Sequence, residues 1–139
     1  MVKLTDEMKE VFLKNMEILH AVPMATASSK GIPNVAPMAS VWLKDDDETF
    51  WICDNFMVKT LQNLKENPNV ALYFWNPETK RCLQVKGNVE IKTEGSEYEE
   101  MYKQVKETKP QFPAKSLIVL NSTEVFECTP GSVAGNKVL

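Results

Sequence analysis

Histidine and arginine occur once each, as His20 and Arg81, and the three cysteines, Cys53, Cys82 and Cys128, form no CxxC pair. So few ligands exclude a histidine-rich metal centre or a cysteine zinc site, and no metal is expected. An odd number of cysteines without framework spacing points to reduced thiols acting as small core hydrophobes. There is no P-loop, GxGxxG or GxSxG, which removes the commonest nucleotide-binding and hydrolase signatures. No apolar run reaches the ~18 residues a membrane span needs, and the N-terminal stretch "MVKLTDEMKEVFLKNMEIL" is charged throughout. A cytoplasmic protein with neither signal peptide nor transmembrane helix is therefore expected. Basic excess is missing too. A net charge of −3 and a pI near 5.3 argue against nucleic acid or an anionic membrane as partner. What is present is 43% hydrophobic and 25% charged side chains over 139 residues, the composition and length of one globular domain spanning 1–139.

Periodicity gives the elements. Leu4, Met8, Val11, Phe12, Met16 and Leu19 recur at helical spacing behind Thr5, a candidate cap. "VPMATASSKGIPNVAPMASVWL" reads as two strands around the turn at 29–33, and the acidic tip "KDDDE" leads to a third, "TFWICD". A helix of roughly nine residues then ends at Asn67-Pro68, since a residue before proline is pushed out of the α region. "VALYFW" is a strand, and in "CLQVKGNVEIK" the alternation of Leu83, Val85, Val89 and Ile91 with polar residues describes a strand buried on one face. Ser96 and Glu99 suggest a capping box for a third helix, "SLIVLNSTEVFECT" is the last strand, and "PGSVAGNKVL" shows no period. Six short antiparallel strands with three helices hide their edges most simply as a small barrel with helices outside, a mainly β fold with α.

Lys59 stands out. It opens the short helix within "DNFMVKTLQNLKENPNVAL", where the dipole disfavours a cation and the first N–H groups lack partners. A phosphate between Lys59, Thr60 and those amides would reverse the sign of the interaction, whereas solvation alone also accommodates a lysine there. Pro37 lies inside a strand and cannot donate to a ladder, which puts that strand at an edge or a bulge. Backbone groups freed around Met38, Ala39 and Ser40 are then available to the polar edge of a planar ligand. His20 closes the first helix, where a cation suits the dipole, and the acidic run 45–48 reads as a solvated tip.

The succession "MATASSKGIPNVAPM", "DNFMVKTLQNLKENPNVAL" and "QVKGNVEI", followed by the tail "TPGSVAGNKVL", resembles the pyridoxamine 5′-phosphate oxidase-like flavoproteins, and in particular their short FMN-binding members. The resemblance implies a six-stranded split β-barrel that binds FMN between the subunits of a homodimer. It further implies that Pro37, Met38, Ala39 and Ser40 lie along the isoalloxazine, that Asp54 and Asn55 border the ribityl chain, and that Lys59 and Thr60 hold the phosphate. In the short relatives the C-terminal end approaches the flavin bound mainly by the other subunit. Oxidases of the vitamin itself carry several arginines and, near the C-terminus, an arginine and a histidine for the substrate. This chain has Arg81 alone and ends Asn136-Lys137-Val138-Leu139, so that activity is not expected. The leading expectation is an FMN-dependent oxidoreductase or electron carrier. The alternatives are a non-catalytic FMN-binding protein, or a relative that holds the deazaflavin coenzyme against a basic groove from Lys80, Lys86 and Lys103. Trp42, Phe74 and Trp75, more bulk than a small barrel easily holds, add to the expectation of a dimer.

Overall fold

The computed structural model describes residues 1–139. Helix α1 (Asp6–Leu19) begins where the Thr5 hydroxyl accepts the Met8 N–H at 3.3 Å and ends at His20, whose φ of 64° lets its N–H return to the Met16 carbonyl. It buries Met8, Val11, Phe12 and Asn15, and it leaves Leu19 exposed although the spacing assigned that residue to the buried face. Strands β1 (Val22–Ala27) and β2 (Pro33–Met38) form a hairpin around Gly31, whose φ of 79° the turn requires. The single strand expected after that turn is in fact two. The chain leaves β2 at Met38, crosses Ala39-Ser40 and starts β3 (Val41–Leu43), which pairs with β4 (Thr49–Asp54) and not with β1. Seven strands result rather than six. The acidic tip before β4 is tied down, with Asp46 accepting the Thr49 hydroxyl at 2.7 Å and Asp47 paired with Lys9 at 3.2 Å.

Helix α2 (Lys59–Glu66) is eight residues long and leads into β5 (Asn69–Trp75) and β6 (Cys82–Lys92). Helix α3 (Ser96–Thr108) departs from the capping-box expectation: Ser96 is already helical, and Gly95, at a φ of 97°, takes the cap position. The bend out of β6 demands a left-handed residue there, which glycine supplies and serine would not. Strand β7 (Ser116–Glu127) closes the chain order.

All pairings are antiparallel, in the order β2-β1-β5-β6-β7-β4-β3. The two outermost strands, β2 and β3, are joined by two residues. A flat sheet would hold them six strand spacings apart, so this sheet must curl until its edges nearly meet, giving a half-barrel split at one corner. Phe12 of α1 fills the inside, edge-on to Phe50 and Phe74 at 5.2 and 5.5 Å. Phe74 is thus core, contrary to its expected place at a subunit contact, because its position in β5 alternates inward while Tyr73 and Trp75 alternate outward. Trp42 is half-buried against a smaller cluster formed by Trp51, Met101, Val105 and Leu117 under α3. The tail, which showed no strand period, turns back on β7: the Glu127 N–H donates to Asn136, and the Val138 N–H to Val125. No helix is long and apolar enough to cross a membrane.

Candidate functional site

At the split corner lies a cavity of about 490 Å³. Its walls are β2 from Asn34 to Met38, the Ala39-Ser40 link, Cys53 at the end of β4, the loop 55–58, the start of α2 at Lys59 and Thr60, and Phe112 from the α3–β7 connection. Seven of the eight candidate residues read from the sequence therefore face one space: Pro37, Met38, Ala39, Ser40, Asn55, Lys59 and Thr60.

The eighth, Asp54, lies behind the wall. Its carboxylate is fully buried, accepts the Met57 N–H at 3.0 Å and the Ser116 hydroxyl at 2.9 Å, and has Lys115 at 3.7 Å. It fixes the path of the 55–58 loop, which carries the chain from β4 to Lys59. The Asn55 carbonyl oxygen accepts the Ala114 N–H at 3.0 Å, while its amide NH₂ has no protein acceptor.

The β2 wall is an edge. Pro23 stands opposite Pro37, and neither can donate, so the ladder bonds fall on the alternate pairs Val22–Met38, Met24–Ala36 and Thr26–Asn34. That phase turns the N–H and C=O of Val35 and the C=O of Pro37 away from β1 and leaves Met38 engaged. The Ser40 carbonyl is taken by the Cys53 N–H at 3.0 Å. Ser40 keeps its hydroxyl free.

The α2 wall is polarised the other way. Its N-cap, Val58, contributes no side-chain bond, and no acidic residue occupies the first turn. The first helical bond is Gln62 N–H to Val58, so the N–H groups of Lys59, Thr60 and Leu61 have no helical acceptor. Lys59 is exposed and takes part in none of the ion pairs. Thr60 is buried and its hydroxyl accepts from the Asn34 amide at 3.2 Å, which leaves its own proton to donate. Asn63, one turn on, anchors α2 to β1 through Thr26 at 3.0 Å.

Cys53 is the one thiol on the cavity. Burial, and then the neighbouring Asp54, push it up to about 11, which holds it as the neutral thiol at pH 7. His20 lies outside the cavity, as do Lys80, Lys86 and Lys103. Lys86 lies over the Phe126 ring and Lys103 pairs with Glu107, so the three do not converge on a basic groove. Two features escaped the sequence reading. Phe112, distant in sequence, packs edge-on to Phe56 at 5.7 Å on the cavity lip, and Asn34 hands Thr60 its orientation. Neither has a local signal.

Comparison with known proteins identifies the family and the fold. The pyridoxamine 5′-phosphate oxidase family model matches residues 4–129. An uncharacterised protein of Methanocaldococcus jannaschii is 39% identical over 143 residues, spanning 99% of this chain and 89% of its own. A pyridoxine/pyridoxamine 5′-phosphate oxidase of Nostoc is 36% identical over 72 residues, which cover 51% of this chain and 32% of that enzyme. The likeness to such enzymes thus spans about a third of their length. Among solved structures, HupZ of Group A Streptococcus is 28% identical with a TM-score of 0.77, covering 95% of this chain and 99% of that one. The fold is also shared by an FMN-binding protein of Syntrophomonas wolfei, at 18% identity and TM-score 0.71 over 89% of this chain and 90% of that one. An F420 reductase shares it at 24% and 0.58, over 79% and 94%. A curled sheet split at β2 and β3, with the family match running from α1 past the end of β7, places this chain in the pyridoxamine 5′-phosphate oxidase family, with its split-barrel fold.

Proposed function

We propose that this chain is an FMN-binding flavoprotein, an oxidoreductase or electron carrier, and that the cavity at the split corner holds the cofactor. One observation carries the reading: an unpaired lysine, an uncapped helix start and a buried hydroxyl with a proton to spare meet at one end of an apolar cavity. Such an arrangement costs stability unless an anion completes it. Lys59, Thr60 and the first-turn amides of α2 suit a phosphate, Asn55 offers an NH₂ to a polyol, and the edge of β2 offers both N–H and C=O to the rim of a heteroaromatic ring. FMN, when bound, supplies hydride or single-electron transfer, and the protein's part is to bind and orient it. No residue on the cavity is placed as a general acid or base, since Cys53 stays protonated.

The same phosphate end suits a deazaflavin coenzyme, and a relative of this fold is an F420 reductase. FMN is favoured here because the basic groove that a long acidic extension needs is missing: Lys80, Lys86 and Lys103 are elsewhere. A haem storage protein of Vibrio cholerae shares the fold at 19% identity and TM-score 0.67, over 91% of this chain and 95% of that one. The cavity here has no histidine to ligate a haem.

Titration of FMN and riboflavin into apo wild type and Lys59→Ala tests the assignment. Losing a charge-assisted contact worth ~1.5–3 kcal/mol should weaken FMN binding roughly 10- to 150-fold. Riboflavin, which has no phosphate, should bind both proteins alike. A loss shared equally by riboflavin would remove Lys59 from the phosphate end, and a protein that ignores FMN altogether would end the proposal.

A further inference from the structure

Cys82 opens β6 and Cys128 immediately follows β7, at the end of the sheet where the tail leaves. Leu83 is registered with Glu127, which sets Cys82 opposite Cys128, and the Cys128 N–H donates to the Cys82 carbonyl at 2.9 Å. Residues directly opposed in an antiparallel pair lie about 4.5–5.5 Å apart at Cα, with side chains on the same face. A disulfide spans Cα separations of about 4.4–6.8 Å, so the backbone spacing of directly opposed strand residues falls within its range, and closure draws the two Cβ atoms slightly together. The Cys128 thiol lies against β7, 3.9 Å from the Phe126 carbonyl. Cys82 is buried and Cys128 is partly exposed, which gives a reagent access to one sulfur and keeps the other waiting behind it. Cys53 is in β4, registered with Leu117 at the opposite end of β7.

We propose that Cys82 and Cys128 form a redox modification site, a dithiol that closes into an intrachain disulfide across β6 and β7 when it meets a hydroperoxide. The Cys128 sulfur, as its thiolate, attacks the terminal peroxide oxygen. The O–O bond breaks, Cys128 becomes a sulfenic acid, and the oxygen that leaves takes up the proton as an alcohol or water. The Cys82 sulfur then attacks the sulfenic sulfur, the S–O bond breaks and water departs. Two electrons pass from the sulfur pair to the peroxide. Burial pushes Cys82 up to about 11 and Cys128 upward as well, with Tyr73 on β5 and the Arg81-paired Glu127 on β7 beside them. Thiolate is therefore scarce at neutral pH, and the pair answers sustained oxidant, not a trace.

The bridge lands where it has a structural consequence. Thr129 accepts the Cys82 N–H at 2.8 Å and donates to Glu127 at 2.7 Å, so the root of the tail is already pinned beside the dithiol. Oxidation makes that attachment covalent.

The full-length protein is incubated with hydrogen peroxide, quenched with an alkylating agent, denatured, and analysed by thiol titration and peptide mapping. The three free thiols should fall to one, with Cys53 alkylated, a peptide containing linked Cys82 and Cys128, and full reversal by dithiothreitol. Cys53→Ser should oxidise in the same way, and Cys128→Ser should yield no linked peptide. Three alkylated thiols after oxidation, Cys128 carried to a sulfinic acid without linkage, or a Cys128–Cys128 bridge between chains would each overturn the proposal.

Discussion

Glu127 sits at the closed end of the barrel with its side chain largely shielded, and the fold still holds it ionised. Burial alone would raise its affinity for a proton. The Thr129 hydroxyl at 2.7 Å and the Arg81 guanidinium at 3.1 and 3.2 Å outweigh that, and its carboxyl ends below the usual glutamate value. A carboxylate whose folded pKa is depressed contributes stability that is complete above the unfolded value, about 4.3, and is lost as pH falls through the folded one. Glu127→Gln should therefore lower the melting temperature at pH 7, where Arg81 keeps only Glu7, at 3.6 Å, and the lost charge-assisted contacts cost about 1–3 kcal/mol. The difference from wild type should shrink steadily from about pH 5 downward. A gap in melting temperature that stays constant from pH 7 to 3 would assign the effect to packing and not to charge. Lys59 presents the opposite case, since nothing in the fold compensates its position, and that imbalance is the ground for proposing that it meets an anion, while Glu127 is matched within the fold.

Between β6 and β7 the ladder slips by one residue at Lys86/Gly87. A Cβ at position 87 would come within 2.1 Å of the Asn121 carbonyl oxygen and 3.1 Å of Leu120 Cδ2. The first of these is backbone in a strand paired on both sides, so it cannot retreat. Gly87→Ala should cost more than about 2 kcal/mol and shift the urea midpoint down by about one molar or more. An unchanged midpoint would mean that the slip relaxes. The sequence shows how elements of this kind divide. Alternation in "CLQVKGNVEIK" announced β6 and its buried face, and the 3.6-residue repeat announced α1, because both signals are local. Glycine 87 gave no hint of a bulge, since the atom it must avoid belongs to a strand more than thirty residues away. Asn15 was silent for the same reason: it looks like a polar residue on a helix, yet it accepts the Trp75 N–H and donates to the Ala21 carbonyl, both at 2.8 Å. The break between β2 and β3 was half legible. Pro37 marked an edge, but only the pairing of β3 with β4 shows that the chain changes partners there. Of the candidate site, Lys59, Thr60 and the 37–40 segment were readable from dipole and proline chemistry, while Asp54 lies behind the site and Phe112 joins it through tertiary packing alone.

At the scale of the whole molecule the cavity lacks a wall. Around its mouth Val35, Phe56 and Val58 are 67%, 71% and 79% exposed, beside the free cation of Lys59. Tyr73 and Trp75 add aromatic surface on the outer face of β5, which carries the argument that Phe74, buried in the core, cannot. A lone subunit that presents apolar side chains around a largely apolar, cofactor-sized cleft gains by covering them, and a second copy would do so while completing the site. The expected state is a homodimer with the cavity at the contact, seen as twice the 15.8 kDa chain mass by light scattering at micromolar concentration. Placing a charge on the rim, as Phe56→Asp, should shift the protein toward the monomer. Because the missing wall goes with the partner, the same variant should also loosen FMN, and raising its concentration should restore both together. A wild-type protein that is monomeric with flavin fully bound would sink the arrangement. So would a Phe56→Asp monomer that binds FMN as tightly as wild type, since the cavity would then be complete within one chain.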